Sequence, residues 1–188
     1  MASLSAFAGC APVAPRHEGA RAVPVEPLAA VSLTVWPGRG AALAEALRAG
    51  FGLTLPEAGR WTHAGDLVAV WLGPEHFSLQ REGTAALWQD LVPVVGDHAA
   101  LIDLTDARAT LRLTGPDSRQ ILAGLLPIDL HLRAFAPGRA ATTIASHMTV
   151  QVRQLDAAPS YDLAVGRSFA GSLWRALELT GAGRLRLG

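Results

Sequence analysis

Residues 101–138 read LIDLTDARATLRLTGPDSRQILAGLLPIDLHLRAFAPG, and they decide the fold because strand, turn, helix and loop follow one another in a single pass. From Asp103 to Leu113 the residues alternate as a half-buried strand does, with Ala109, Leu111 and Leu113 on one face and Thr110, Arg112 and Thr114 on the other. Gly115-Pro116-Asp117 then turns the chain into a helix. A proline near the first helical position loses no hydrogen bond there, and the carboxylate suits the positive end of the helix dipole. Two caps are open: Thr114 with Asp117 closing a capping box, or Gly115 ahead of Pro116 as the first helical residue. Ile121, Leu122 and Leu125 form the apolar face, and Pro127 stops the helix.

Upstream, Leu28 to Trp36 alternates and carries β-branched residues, which predicts a strand. Pro37-Gly38-Arg39-Gly40 leads into a helix over Ala41 to Ala49, with Leu43 and Leu47 on one face and Gly50 closing it. A dinucleotide-binding loop fails here, because Leu43 stands where the fingerprint needs its third glycine; the glycine pair reads as a tight turn. Leu67 to Leu72 predicts a buried strand, Gly73-Pro74-Glu75 a turn, Phe77 to Gln80 a partner strand, and Thr84 to Val92 a helix capped by Thr84. Downstream, Thr149 to Val152 and Tyr161 to Val165 read as strands joined by a loop over Asp156 to Ser160. A last helix starts at Ser168, with Phe169, Leu173 and Leu177 inward, and Arg184 to Gly188 is a frayed or strand-like tail.

The two halves repeat. Ala86-Leu87-Trp88-Gln89-Asp90-Leu91 echoes Ser172-Leu173-Trp174-Arg175-Ala176-Leu177, and Phe77-Ser78-Leu79 echoes Leu163-Ala164-Val165, both at a spacing of 86 (163 − 77). Leu33-Thr34-Val35 with Leu43 and Leu47 maps onto Leu111-Arg112-Leu113 with Ile121 and Leu125 at a spacing of 78 (111 − 33), which puts the extra eight residues around Asp129 to Arg139. Each copy reads strand, helix, strand, strand, helix, the bulk of a ferredoxin-like unit. The expected fold is therefore α+β, a pseudo-symmetric tandem of two such units over residues 28–188, with a first half at 28–98 and a second at 99–188. Residues 1–27, broken by Pro12, Pro15, Pro24 and Pro27, are expected to form an extended N-terminal tail, disordered in isolation or wrapped on a partner subunit.

Half of the 188 residues are apolar, which argues for a globular chain. The 16 basic residues, all arginine, balance 16 acidic ones, so nothing pulls the chain toward nucleic acid or an anionic membrane. Without lysine there is no P-loop lysine and no Schiff-base nucleophile. Cys10 is the single cysteine, which excludes an intrachain disulfide and a thiolate metal cluster and suggests a cytoplasmic address. Phe7-Ala8-Gly9-Cys10 resembles a lipoprotein box, but no positive charge precedes it and the apolar run is too short for a signal peptide. No apolar run approaches membrane-spanning length.

Chemistry-bearing residues are sparse. Asp129, His131 and Arg133 alternate, so an extended backbone would aim an acid, an imidazole and a guanidinium the same way. Such a set would clamp a carboxylated ligand, form an intersubunit ion cluster, or staple its own loop. Asp103, at the strand entrance with Asp106 and Arg108, caps a turn or pairs with Arg108. His63, His76, His98 and His147 show no metal-ligand spacing, no Gly-x-Ser-x-Gly elbow is present, and the tryptophans read as core. No catalytic residue and no metal ligand is assigned; Asp103, Asp129, His131 and Arg133 are the candidate cofactor-binding residues.

The run from Asp103 through Gly115-Pro116-Asp117 to Asp129 resembles the folate-binding domain of glycine-cleavage aminomethyltransferases. Pro127-Ile128-Asp129-Leu130-His131, Arg133 to Gly138, Tyr161-Asp162-Leu163 and Arg167 to Trp174 narrow the resemblance to the gamma subunit of heterotetrameric sarcosine oxidase, over most of residues 28–188. Leu132, Ala140 and Thr142 depart from that pattern, where Pro, Cys and Gln are expected. The resemblance implies a tandem folate-binding-domain fold that has lost its chemistry. It further implies a non-catalytic chain of a complex that oxidatively demethylates sarcosine to glycine, linked to tetrahydrofolate. FAD, FMN, NAD and tetrahydrofolate are then expected on the alpha, beta and delta partners, with no cofactor on this chain alone. The alternatives are a free-standing tetrahydrofolate-binding or one-carbon transferase protein, and a ferredoxin-like small-molecule sensor.

Overall fold

The computed structural model describes residues 5–8, 19–26, 28–83 and 86–183. The chain forms two compact units, one of Glu26–Asp106 and one of Met1–Val25 with Ala107–Gly188. Among the described residues the elements run β1 (Arg21–Pro24), β2 (Leu28–Val35), α1 (Gly40–Phe51), β3 (Trp61–Ala64), β4 (Leu67–Gly73), β5 (His76–Glu82), α2 (Leu87–Val95), β6 (Ala99–Asp103), β7 (Arg108–Thr114), α3 (Ser118–Leu125), β8 (Ala140–Ala145), β9 (Met148–Asp156), β10 (Ser160–Gly166) and α4 (Ala170–Gly183).

In the Glu26–Asp106 unit an antiparallel sheet runs in the order β3-β4-β5-β2-β6. Alternation puts Val31, Leu33 and Val35 of β2, with Leu79 of β5 and Ala69 of β4, into one core with Leu43 and Leu47 of α1 and Leu87, Leu91 and Val95 of α2. Each fully buried leucine there is worth about 1.5–3 kcal/mol relative to exposure. The turn before α1 is tight, with Gly38 at φ +75°. The helix ends at Gly52, left-handed at φ +67°, whose N–H donates back to the Arg48 carbonyl. Gly50, expected to close it, lies inside the helix.

The other unit has the same plan. Its sheet runs β1-β7-β10-β9-β8, and Leu111, Leu113, Leu163, Val165, Val150 and Val152 pack with Ile121 and Leu122 of α3 and Leu173, Trp174 and Leu177 of α4. The pairing reproduces the repeat read from the sequence. Leu33 lies opposite Phe77 and Leu111 opposite Leu163, so the copies are offset by 78 on one strand (111 − 33) and 86 on its neighbour (163 − 77). Val70 lies opposite Ser78 and Gln151 opposite Ala164, an offset of 81 on the strand between the hairpins (151 − 70). The extra residues therefore divide: three fall between α3 and β8 (81 − 78) and five in the β9–β10 hairpin (86 − 81), whereas the sequence placed all eight around Asp129 to Arg139.

Several elements differ from expectation. Asp103 to Leu113 is not one strand but two, β6 and β7, in different sheets. Leu104 donates to the Ala30 carbonyl and the Asp103 carboxylate accepts from the Thr105 N–H, so the chain turns at the point where alternation by residue type gave no warning. β6 closes the edge of the first sheet beside β2, and residues 21–24 of the expected tail are strand β1. Pro24 fits there because β1 is an edge strand. Neither cap foreseen for α3 forms: the helix starts at Ser118 after Asp117, with no side-chain cap bond, while Gly115 takes φ +110°. Phe169 lies before α4 and is exposed, and α2 continues past Pro93 to Val95. Strands β3 and β8 were not anticipated, since neither carries a long apolar run. Thr84, Cys10 and the tail from Arg184 to Gly188 lie outside the described residues.

Candidate functional site

The residues singled out from the sequence sit in surface turns. The segment holding Asp129, His131 and Arg133 is not extended, so alternation does not align the three side chains. The Asp129 carboxylate accepts from the His131 N–H at 2.8 Å and the His131 Nδ1 accepts from the Arg133 N–H at 3.2 Å, each bond spanning two residues. All three residues are exposed. This is the stapled loop among the readings above: short polar side chains satisfying the backbone of their own turn. Asp103, also exposed, belongs to the other unit and caps the turn after β6 through the Thr105 N–H at 2.9 Å. A folate-type ligand needs a concave site with a few convergent polar groups. The Asp103 and Asp129 carboxylates are bonded to the backbone of their own exposed turns, in different units.

The polar residues that the fold does gather were not singled out. In the unit containing β7, positions 110, 112, 151, 153, 160 and 162 lie on the sheet face away from the helical core, because 109, 111, 113, 150, 152, 161 and 163 face it. Register brings three charges together there, since Asp162 of β10 stands opposite Arg112 of β7 and Arg153 of β9. The Arg112 guanidinium grips Asp162 through Nε to Oδ1 at 2.7 Å and NH2 to Oδ2 at 3.0 Å. Arg153 reaches Oδ2 through NH2 at 2.7 Å and Nε at 3.2 Å. The side chains of Asp162 and Arg153 are 3% and 7% exposed, so this is a buried, doubly forked carboxylate. Such a cluster fixes strand register; its Coulomb gain is largely offset by desolvation.

The equivalent place in the other sheet is different. Removing the offsets carries Thr110 to Ser32 and Asp162 to His76, and there the Ser32 hydroxyl and His76 Nε2 are 2.8 Å apart. Among the described residues no carboxylate bonds to His76, so the pair lacks the third group that orients a catalytic imidazole. No group of three His, Cys, Asp or Glu residues among those described is placed to hold a metal ion.

Two further groups carry perturbed ionisation. Burial pushes the Tyr161 hydroxyl up, and the Arg119 guanidinium partly offsets this. The hydroxyl makes no hydrogen bond of ordinary geometry, so Arg119 acts on it mainly through its charge. Burial also lowers Arg108, at the start of β7. In both groups desolvation by burial is the largest cause.

The two sheets and the helices packed on them define a protein with the fold of the aminomethyltransferase class. The glycine cleavage system aminomethyltransferase T from Bartonella henselae superposes with a TM-score of 0.65 at 16% identity, over 85% of this chain and 45% of that one, a likeness of fold alone. A chain of the heterotetrameric sarcosine oxidase from Corynebacterium sp. U-96, solved in complex with pyrrole 2-carboxylate, superposes with a TM-score of 0.83 at 26% identity, over 96% of this chain and 95% of that one. Residues 38–183 match the family profile, and the chain belongs to the sarcosine oxidase, gamma subunit family (SoxG). Sarcosine oxidase subunit gamma of Arthrobacter sp. is 38% identical over 111 residues, 57% of this chain and 55% of the relative. That of Corynebacterium sp. strain P-1 is 37% identical over 125 residues, 64% of this chain and 60% of the relative. The aligned part of the chain thus spans little more than half the length of these relatives.

Proposed function

We propose that this chain is a non-catalytic gamma-type subunit of a heterotetrameric sarcosine oxidase, an assembly that oxidatively demethylates sarcosine to glycine in a tetrahydrofolate-linked reaction. Alpha, beta and delta chains are its partners, and they carry FAD, FMN, NAD and tetrahydrofolate. The assembly works in the cytoplasm; no described helix is long and apolar enough to cross a membrane. The observation that carries the reading is the near end-to-end superposition on a chain of the Corynebacterium enzyme. The chemistry of the surface supports it. Asp103, Asp129 and His131 are committed to their own turns, and the buried Asp162 is held by two guanidinium groups, which removes it as a base.

The test on the purified chain is twofold. Incubated with sarcosine and an artificial electron acceptor it produces no formaldehyde or glycine, and calorimetric titration with tetrahydrofolate gives no binding isotherm. Turnover, or saturable binding of tetrahydrofolate at one site, would replace this reading with a free-standing one-carbon protein.

A further inference from the structure

Arg108 opens β7 on the same sheet face as Arg112, since Ala109 and Leu111 between them meet the helical core. Among the described residues its side chain makes no hydrogen bond and no ion pair. It is half-buried, and burial alone lowers its ionisation, so the guanidinium is desolvated without a counter-ion. Two residues further along that face Thr110 is 2% exposed, and its hydroxyl also lacks a partner. Register sets both against small residues, with Arg108 opposite Gly166 and Thr110 opposite Ala164 of β10. The neighbouring cluster of Arg112, Arg153 and Asp162 carries a net +1 (2 − 1) and lends Arg108 no neutralising charge.

The other sheet shows the same place with its polar atoms satisfied. The offsets carry Arg108 to Ala30 and Thr110 to Ser32 (108 − 78 and 110 − 78), and Ala164 to Ser78 and Gly166 to Gln80 (164 − 86 and 166 − 86). There Gln80 Nε2 donates to the Ser78 hydroxyl at 3.1 Å, and the Ser32 hydroxyl meets His76. A neutral, mutually bonded set in one copy is replaced in the other by a cation and a lone hydroxyl over Ala164 and Gly166. Exchange of one long side chain for another, Gln80 for Arg108, accounts for the volume but leaves a desolvated charge and a buried hydroxyl unsatisfied. We propose that Arg108 and Thr110 form a binding site for a carboxylate, with Ala164 and Gly166 as its floor. The guanidinium offers parallel N–H donors to both carboxylate oxygens, and the Thr110 O–H donates to a remaining lone pair. One guanidinium matches one negative charge, which favours a carboxylate over a dianionic phosphate. The site belongs to this chain alone, so its failure would leave the proposed assembly intact.

Formate titrated into the isotopically labelled full-length chain, at constant ionic strength against chloride, tests it by nuclear magnetic resonance. The Arg108 Nε–H resonance is expected to move saturably with formate and to stay in place with chloride. Thr110→Val, which keeps the shape and removes the hydroxyl, weakens binding several-fold, and so does Arg108→Lys, which keeps the charge and loses the fork. A side chain fits at Gly166, where the backbone is at φ −59° and a Cβ would make ordinary contact with the Phe169 ring at 3.6 Å. Arg108→Ala, Ala164→Ser and Gly166→Gln combined therefore import the neutral set of the other sheet, and the Thr110 amide then no longer responds to formate. In the co-expressed assembly Arg108→Ala distinguishes the sources of the carboxylate: release of the chain marks an acidic side chain of a partner, and an intact assembly marks a free small molecule. An Arg108 Nε–H that ignores formate in the folded wild-type chain, or equal saturation in the combined variant, would overturn the proposal.

Discussion

Asp162 carries the most consequence of any single residue. Two guanidinium groups converge on its carboxylate inside a sheet, and Asp162→Ala removes the acceptor that both forks share. Truncating one partner of such a cluster costs about 3–5 kcal/mol, and chemical denaturation should show a loss of that order. Asp129→Ala, which removes one bond in an exposed turn, should stay within about 0.5 kcal/mol in the same measurement. Tyr161 offers a cleaner reading of burial because it is the chain's one tyrosine. With the folded hydroxyl raised above its usual value of 10.0, its contribution to stability is fully present below that value and is lost as pH rises through the folded pKa. A tyrosinate absorbance titration of the folded protein should therefore have its midpoint above that of the denatured chain, and Tyr161→Phe should reduce the alkaline fall in stability. Coincident midpoints would show that the hydroxyl meets water.

At the scale of elements, the N-terminal segment does the work of a missing strand. Gly115 shows how closely it is packed: a Cβ there would collide with the Gly19 carbonyl oxygen, and the backbone already sits at φ +110°. Gly115→Ala should cost about 1–3 kcal/mol from the strained backbone alone, read as a lower melting temperature and faster amide exchange along the outer edge of β7. Phe7 is buried with its ring 6.1 Å from Trp174, so Phe7→Ala should cost about 3 kcal/mol in chemical denaturation, though the residue precedes the first strand. Neither contact was legible in the sequence, where prolines marked residues 1–27 as a tail. Proline excludes a central strand, but an edge strand tolerates it, and edge or centre is a matter of topology. The same limit explains the split between β6 and β7. Alternation in side-chain type runs on through Leu104 to Ala107, while the turn is made by backbone bonds that residue type does not reveal. What the sequence did carry was periodicity and repetition: β2, α1 and α3 form where they were expected, and the offsets of 78 and 86 reappear in the strand register. Those offsets were also the signal for the charged cluster, because placing Leu111 opposite Leu163 places Arg112 opposite Asp162. Read by local spacing alone, residues 112, 153 and 162 are too far apart to be noticed.

For the whole molecule, duplication of one strand-and-helix plan leaves a scaffold in which Asp103, Asp129 and His131 bond to their own turns and Arg112, Arg153 and Asp162 to one another. Differences between the copies show where that scaffold has been specialised: an ion cluster stands in one sheet where a serine–histidine pair stands in the other, and the fifth strand comes from a different end of the chain. On the proposed reading, a protein built this way acts through what it binds to. The most direct test of that claim is native mass spectrometry of the assembly purified after co-expression with the proposed oxidase partners. One copy of this chain bound with three different larger or smaller chains, retained through gel filtration, is the predicted result. A complete, active sarcosine oxidase from which this chain is absent, with the chain eluting alone, would contradict it.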